Sequence, residues 1–222
     1  MGYDWDFTAI YNSTGLLLEG AGLTLLLVGI AGVFGIALSV GGAVTALWGR
    51  LWARRLVLAY VELIRNTPFI VQLFFIFFGL PSLGVKMPAL VAASLAMVIN
   101  LTAYGTEIMR AGIQSVPAGQ REAGLALGIR PAVAFLLIIL PQAVATVYPA
   151  LVSQIIITML ESAVVSQIAV TDLTHAADFI QSRSYRAFET YGVVALIYLG
   201  MAVALRWLFG LVGLRYFMAR RA

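Results

Sequence analysis

Residues 20–49 read GAGLTLLLVGIAGVFGIALSVGGAVTALWG, thirty residues between Glu19 and Arg50 without one ionisable side chain. A helix rises 1.5 Å per residue, so about 20 mostly apolar residues cross the roughly 30 Å of a bilayer's hydrocarbon core. This run clears that length, and working outward from it finds others. Residues 66–85 and 87–106 are charge-free for 20 residues each, residues 131–160 for 30, and residues 190–205 for 16. The last reaches the required length if Glu189 and Arg206 sit at opposite interfaces, with Arg206 snorkelling. The gaps predict an all-α integral membrane protein with five transmembrane helices. Long continuous runs exclude a β-barrel, whose strands are short and alternate.

Composition agrees. Only 24 of 222 residues are charged (11%) and 62% are hydrophobic, against about 25% charged in a soluble domain. Mean hydropathy is +0.97. A soluble fold cannot build its polar surface from this chain. There is no cysteine, which excludes disulfide and thiol chemistry. Asp4 and Asp6 stand where a basic n-region would be, so no cleavable signal peptide is expected.

The net charge of +4 and pI of 9.6 reflect topology. Five spans put the termini on opposite sides. Arg50, Arg54, Arg55, Arg110, Arg121, Arg130, Arg206, Arg215, Arg220 and Arg221 then share one side, against Lys86, Arg183 and Arg186 on the other, with Arg65 inside the second segment. Ten against three makes the arginine-rich side cytoplasmic, with the N-terminus periplasmic, the C-terminus cytoplasmic and Arg220-Arg221 an anchor. Nucleic-acid binding would need these arginines on one soluble face.

The chain is predicted to be a single transmembrane domain over residues 1–222. Its helices span about 14–48, 55–80 (kinked at Pro68), 88–113, 131–159 and 187–209. A polar cytoplasmic connection covers 114–130 and an external one 161–186, whose start, Ser162 to Leu173, suits a short or re-entrant helix. Gly29, Gly32 and Gly35 form either a close-packed stripe or ordinary membrane glycine content.

Two stretches carry function. The first runs from Arg110 to Gly128, RAGIQSVPAGQREAGLALG, with Leu140-Pro141 twelve residues on. Glu122 to Leu127 suits a short helix with Gly128 at C′ and Glu122 in its first turn, complementing the helix dipole. The residues alone leave open a rigid contact element for another protein or a solvated loop. The second runs from Tyr60 to Pro81, YVELIRNTPFIVQLFFIFFGLP.

Glu122-Ala123-Gly124, then Gly128, then Leu140-Pro141, resembles the EAA loop of ABC importer permeases, as does the preceding Gly119-Gln120. Gly124 departs from the usual Ala, which softens the helix by roughly 1 kcal/mol. The Tyr60–Pro81 stretch resembles the second helix of polar amino-acid permeases. Glu107, Arg110 with Ala111-Gly112-Ile113, and Ser166 to Leu173 are similar to the same subgroup. The resemblance covers about residues 15–215.

It implies a type I ABC importer permease in the bacterial inner membrane, a multi-pass subunit that moves a polar amino acid, or a similar zwitterion such as an opine, by alternating access. It implies a second permease subunit, identical or paralogous, two ATPase subunits docking on the EAA loops through Gly119, Gln120, Glu122, Ala123, Gly124 and Gly128, and a periplasmic solute-binding protein. The chain is not expected to be an enzyme. It has no P-loop and its only lysine is Lys86, so ATP and Mg belong to the partner ATPase and no cofactor is expected here. A stand-alone secondary transporter, or a structural membrane subunit without its own path, are the rival readings.

Glu62 and Arg65, like Glu107 and Arg110, are i,i+3 pairs toward the cytoplasmic ends of neighbouring helices. Ionisable groups at membrane depth pair or reach water, so these form either a cross-helix network acting as a gate or plain interfacial pairs. Candidate residues for a substrate path are Asn100, Thr102 and Tyr104 in the third helix, with Gln154, Thr158, Glu161 and Ser162 at the outer end of the fourth. Glu161 departs from the family and would favour a cationic solute; a helix end solvated outside is the other reading. Asp172, His175 and Asp178 fall at i,i+3,i+6. One His and two Asp on a loop rarely hold a metal, so a solvated face and no metal site are expected.

Overall fold

A computed structural model describes residues 3–215, so Arg220 and Arg221 lie outside the described residues. In chain order the helices are α1 (Thr8–Asn12), α2 (Thr14–Trp48), α3 (Leu51–Arg65), α4 (Phe69–Ser82), α5 (Ala89–Ser115), α6 (Ala118–Ala126), α7 (Pro131–Ile168), α8 (Leu173–Ser184) and α9 (Ala187–Gly213). No strand occurs among the described residues. Within α7 a π-turn, Phe135–Ile139, precedes a long α-helix, Leu140–Glu161, and 3-10 turns, Ser162–Ile168, close it.

Four helices, α2, α5, α7 and α9, are each long and apolar enough to cross a bilayer, and α3 with α4 makes a fifth span if counted together. Packing direction decides that count. Gly35 of α2 faces Leu101 of α5, Gly105 faces Ser39, and Gly42 faces Thr106. Residue numbers rise together along both helices, so α2 and α5 are parallel. The chain must therefore return across the membrane between them, and only residues 51–82 can do it. Gly112 of α5 lies against Ala143 and Val147, while Met97 shares a core cluster with Ile155 and Met159, which makes α5 and α7 antiparallel. Tyr148 donates to the Phe209 carbonyl at 2.7 Å, and Ile155, seven residues on, lines one groove with Leu205, so α9 runs back against α7. Five crossings result.

The second span differs from the expected continuous helix over 55–80. It breaks between Arg65 and Phe69 and turns by 111°. Pro68 is extended (φ −62°, ψ 141°); it lacks an N–H and disfavours helical geometry in the residue before it. Gln72 reaches back across the break. Its Nε2 donates to the carbonyls of Ile64 (2.8 Å) and Thr67 (3.0 Å), carbonyls at the broken helix end that lack their i+4 amide partners; Ile64 O also accepts from Thr67.

Two π-turns were not anticipated, Phe75–Gly79 and Phe135–Ile139. Each ends directly before a Leu-Pro pair, Leu80-Pro81 and Leu140-Pro141. A helical proline clashes with the carbonyl four residues back; those carbonyls, of Phe77 and Leu137, lie inside the π-turns, which widen the helix there.

Of the three glycines read as a stripe, only Gly35 packs closely; Gly29 and Gly32 face open space. The close seam is Gly35, Ser39 and Gly42 against Leu101, Gly105 and Thr106, where an added Cβ at Gly105 would fall 2.8 Å from that of Ser39.

At the other end of the bundle the N-terminal segment crosses the start of α9. The Tyr3 hydroxyl donates to Glu189 Oε2 at 2.7 Å and the Asp6 amide to Oε1 at 3.2 Å, so a buried carboxylate is held by chain that precedes the first span.

Candidate functional site

The connection over residues 114–130 contains a true helix, α6, and it begins earlier than expected. Pro117 stands at its N-cap, so Glu122 is its fifth residue and not in its first turn. Glu122 therefore does not complement the dipole at the start of α6. The helix ends in a Schellman motif: Ile129 N–H donates to Gly124 O at 3.1 Å and Gly128 N–H to Leu125 O at 3.0 Å, with Gly128 at φ 76°. Only glycine takes that conformation freely.

Two contacts fix α6 to the spans. Gly124 is buried, and a Cβ there would meet Ile138 Cδ1 at 3.3 Å and Ala134 Cβ at 3.5 Å. The Arg121 guanidinium lies 5.6 Å from the centroid of the Trp48 ring, and Trp48 packs edge-on against Phe135 at 5.7 Å. The remaining surface faces away from the bundle. Gly119, Gln120, Glu122, Ala123 and Gly128 are exposed, and Leu127 is 80% exposed. The helix is thus pinned on one side and leaves the Glu122 carboxylate and the Leu127 side chain uncovered on the other.

Of the four residues read as an ion network, three come together. Glu107 takes a bidentate pair from Arg110, Nε to Oε1 at 3.0 Å and Nη2 to Oε2 at 2.7 Å. Arg65 Nη1 lies 4.0 Å from the same Oε2, and its guanidinium sits 5.5 Å from the Tyr104 ring centroid. Glu62 instead accepts from Asn66 Nδ2 at 3.0 Å.

The candidate path residues fall into two sets. Asn100 is buried, and its Nδ2 donates to Gln72 Oε1 at 3.1 Å. Its Oδ1 has no partner, and neither has Thr158 Oγ1, so two buried acceptors are free for water or solute. Gln154 is also buried. By contrast, Thr102 and Ser162 are spent on local backbone, donating to Val98 O and Met159 O at 2.7 Å each, and Tyr104 lies under Arg65. Glu161 is half-buried at the end of the long α7 helix.

Sequence reasoning missed Gln72 and a polar face on α7. Gln142, Thr146 and Ser153 are all exposed and, at spacings of four and seven, share one side of the helix; Gln142 Nε2 donates to Ile138 O at 2.7 Å and Thr146 Oγ1 to Gln142 O at 3.0 Å, but unlike Thr102 and Ser162 their exposed side chains keep acceptor oxygens open to the outside. Their spacing was the available signal. Polar groups on an outward membrane face mark a contact or a wet cavity rather than lipid.

Asp172 corrects the solvated-face reading of Asp172, His175 and Asp178. It is fully buried and caps α8, its Oδ1 accepting from the His175 amide at 2.9 Å. Burial pushes its carboxyl up to about 6, against the pull of the His175 and Thr174 amides.

Residues 37–217 match the family described as binding-protein-dependent transport system inner membrane component. The chain belongs to that family. Among relatives of this transport component, the glutamine transport system permease protein GlnP of Escherichia coli (strain K12) is 36% identical over 212 residues, covering 94% of this chain and 95% of that protein. The arginine transport system permease protein ArtQ of Bacillus subtilis (strain 168) is 32% identical over 207 residues, covering 91% and 93%. Among solved structures, an amino acid ABC transporter crystallised with histidines matches with a TM-score of 0.86 and 38% identity, covering 96% of this chain and 100% of that one. The MetNI methionine ABC transporter shares the fold at a TM-score of 0.76 and 19% identity, covering 89% and 94%. As a binding-protein-dependent inner membrane component, the chain is a multi-pass permease subunit with the type I ABC importer fold.

Proposed function

We propose that this permease carries a polar amino acid or a similar small zwitterion inward, as half of a permease pair powered by two separate ATPase subunits and supplied by a periplasmic binding protein. The observation that carries the reading is α6, anchored through Gly124 and the Arg121–Trp48 stack while Glu122 and Leu127 project outward. Gly119, Gln120, Glu122, Ala123, Gly124 and Gly128 form the element through which ATPase movement reaches α7. ATP and Mg are held by the partner chains, since this sequence has no P-loop.

The side bearing α6 is cytoplasmic, because the arginine excess lies there, and the N-terminus is then periplasmic. The exposed polar face of α7, Gln142, Thr146 and Ser153, lines the path between the paired permeases. Asn100, Gln154 and Thr158 lie behind it, and Glu161 stands at its outer end. Relatives named for glutamine and arginine transport support the solute class. Glu161 has no ion pair among the described residues, which suits a cationic solute. Glu107 with Arg65 and Arg110 closes the path at its cytoplasmic end.

The test is uptake and ATPase co-purification with Glu122→Lys. The variant should insert normally, lose most transport and release the ATPase. Uptake at the wild-type rate would overturn the reading. Uptake that follows an ion gradient without any ATPase would make the chain a secondary transporter. Ligand screening of the partner binding protein names the solute.

A further inference from the structure

A cavity of about 530 Å³ lies between the end of α2, α6 and the start of α7, lined by Val44, Trp48, Arg121, Leu125, Phe135 and Ile139 among others. Three features set its chemistry. Its walls are apolar side chains apart from one cation, Arg121. That cation has no carboxylate within 4 Å among the described residues; it rests on the Trp48 ring instead. The cavity also sits at the membrane boundary. Helix α2 ends at Trp48, an interfacial residue type, and the charge-free run ends one residue later, before Arg50. Arg130 directly precedes Pro131, another lining residue. Arg121 is the cation that lines the cavity, and Arg50 and Arg130 stand beside it in sequence, two residues from Trp48 and one from Pro131.

An apolar wall with a cationic rim at the level of the headgroups matches an amphiphile with a negative head. The geometry points to a binding site for an anionic phospholipid of the arginine-rich leaflet, its acyl chain on Val44, Phe135 and Ile139 and its phosphate on Arg121. Basic pockets between membrane helices take anionic headgroups in this way, and the volume lies in the usual range of a ligand cavity. Arg121 and Leu125 line the cavity and Glu122 does not, so the lipid leaves the Glu122 carboxylate uncovered. A lipid wedged against Trp48 and Arg121 braces α6 on the spans. The inference rests on the membrane placement of the chain and not on the identity of the solute.

The experiment uses the assembled importer in nanodiscs of phosphatidylcholine with added phosphatidylglycerol. Native mass spectrometry then reads the lipids that stay bound. The wild type should keep phosphatidylglycerol in preference to phosphatidylcholine. Arg121→Gln should lower that preference about fivefold, the change expected for one interfacial cation. Val44→Trp, which fills the cavity and spares Arg121, should lower the total lipid retained. Arg50→Gln and Arg130→Gln should each have a smaller effect than Arg121→Gln. Equal preference in wild type and Arg121→Gln would overturn the site. So would lipid retention that vanishes only when the ATPase is bound, because a segment of that protein would then be the occupant. Binding of water-soluble glycerophosphate in place of lipid would overturn it as well. Uptake plays no part in the readout, so a failed proposal about the solute leaves this result intact.

Discussion

Gly124→Ala sets two opposing effects against each other at the contact helix. Gly124 is the third residue from the end of α6, with helical backbone, and Ala there gains about 1 kcal/mol of helix propensity. A buried methyl adds up to about 0.8 kcal/mol. Against this stands crowding, which in a packed core costs about 1–3 kcal/mol. The added Cβ would lie 3.5 Å from Ala134 Cβ, an ordinary contact, and 3.3 Å from Ile138 Cδ1, a slightly tight one. The tight neighbour is the free end of a long side chain that a few tenths of an ångström relieve. No backbone atom crowds the site, so propensity and burial win. The net gain should be about 0.5–1 kcal/mol, confined to α6. Hydrogen exchange of the amides over residues 118–129, in the lipid-embedded permease, should slow about two- to fivefold, with exchange in α5 and α9 unchanged. Faster exchange over residues 118–129 would refute the reasoning, because it would mean that Ile138, inside the π-turn of α7, cannot yield.

Three further outcomes follow from local geometry. Gly20→Ala should destabilise the fold by about 1–3 kcal/mol, since its Cβ would fall 2.8–2.9 Å from backbone atoms of Asp172 and Leu173, while Gly29→Ala, facing open space, should cost nothing and gain up to about 1 kcal/mol of helix propensity; thermal midpoints of the two variants in one detergent decide it. Gln72→Leu removes the donor to Thr67 O, one of three donors to Ile64 O, and the acceptor for the buried Asn100 amide, at about 1–3 kcal/mol for the buried amide left unpaired, and an unchanged midpoint would mean that water takes its place. Asp172 is raised from 3.8 to about 6, so the folded state holds its proton more tightly than the unfolded state. Its contribution is full below pH 3.8 and lost as pH rises through about 6, a change of at most ~3 kcal/mol. Asp172→Asn keeps the cap and removes the titration, so the stability of wild type relative to this variant should fall between about pH 4 and 6 and level off above that, and parallel curves would contradict the assignment.

The spans were legible because the bilayer imposes one coarse rule, and charge-free length reports it directly. What the sequence hid depends on partners. Nothing in residues 60–81 says that Gln72 will reach back to Ile64 and Thr67, so Pro68 reads as a kink rather than a break. The seam of Gly35, Ser39 and Gly42 was hidden behind Gly29 and Gly32, because glycine count does not show which face meets α5. The start of α6 was available and misread: Pro117 before Ala118 is a helix-initiation signal, and weighting Glu122 over it shifted the helix by four residues. Asp172 was grouped with His175 and Asp178 by spacing, although an Asp three residues before a satisfied amide is an N-cap pattern. The polar face of α7 was present as spacing alone, and it acquires meaning only once that face is seen to be uncovered.

The broken second span also accounts for the one arginine that topology could not place. In a straight helix from residue 55 to residue 80, Arg65 would stand ten residues, about 15 Å, inside the hydrocarbon, close to its midplane. A lone cation there is costly. The 111° turn after Arg65 takes α3 off the line of α4, and Arg65 then reaches Glu107 and the Tyr104 ring with its side chain 40% exposed. The same turn leaves the start of α4 beside Asn100, where the Gln72–Asn100 bond ties the break to the middle of α5. The amphipathic character of α3, with Arg54, Arg55, Glu62 and Arg65 in fifteen residues, thus requires the bend as much as Pro68 permits it. Transporters commonly place solute sites at such breaks near the midplane. Here the break delivers two features at once: the Gln72–Asn100 amide pair at depth, and beside it the Arg65–Glu107–Arg110 cluster.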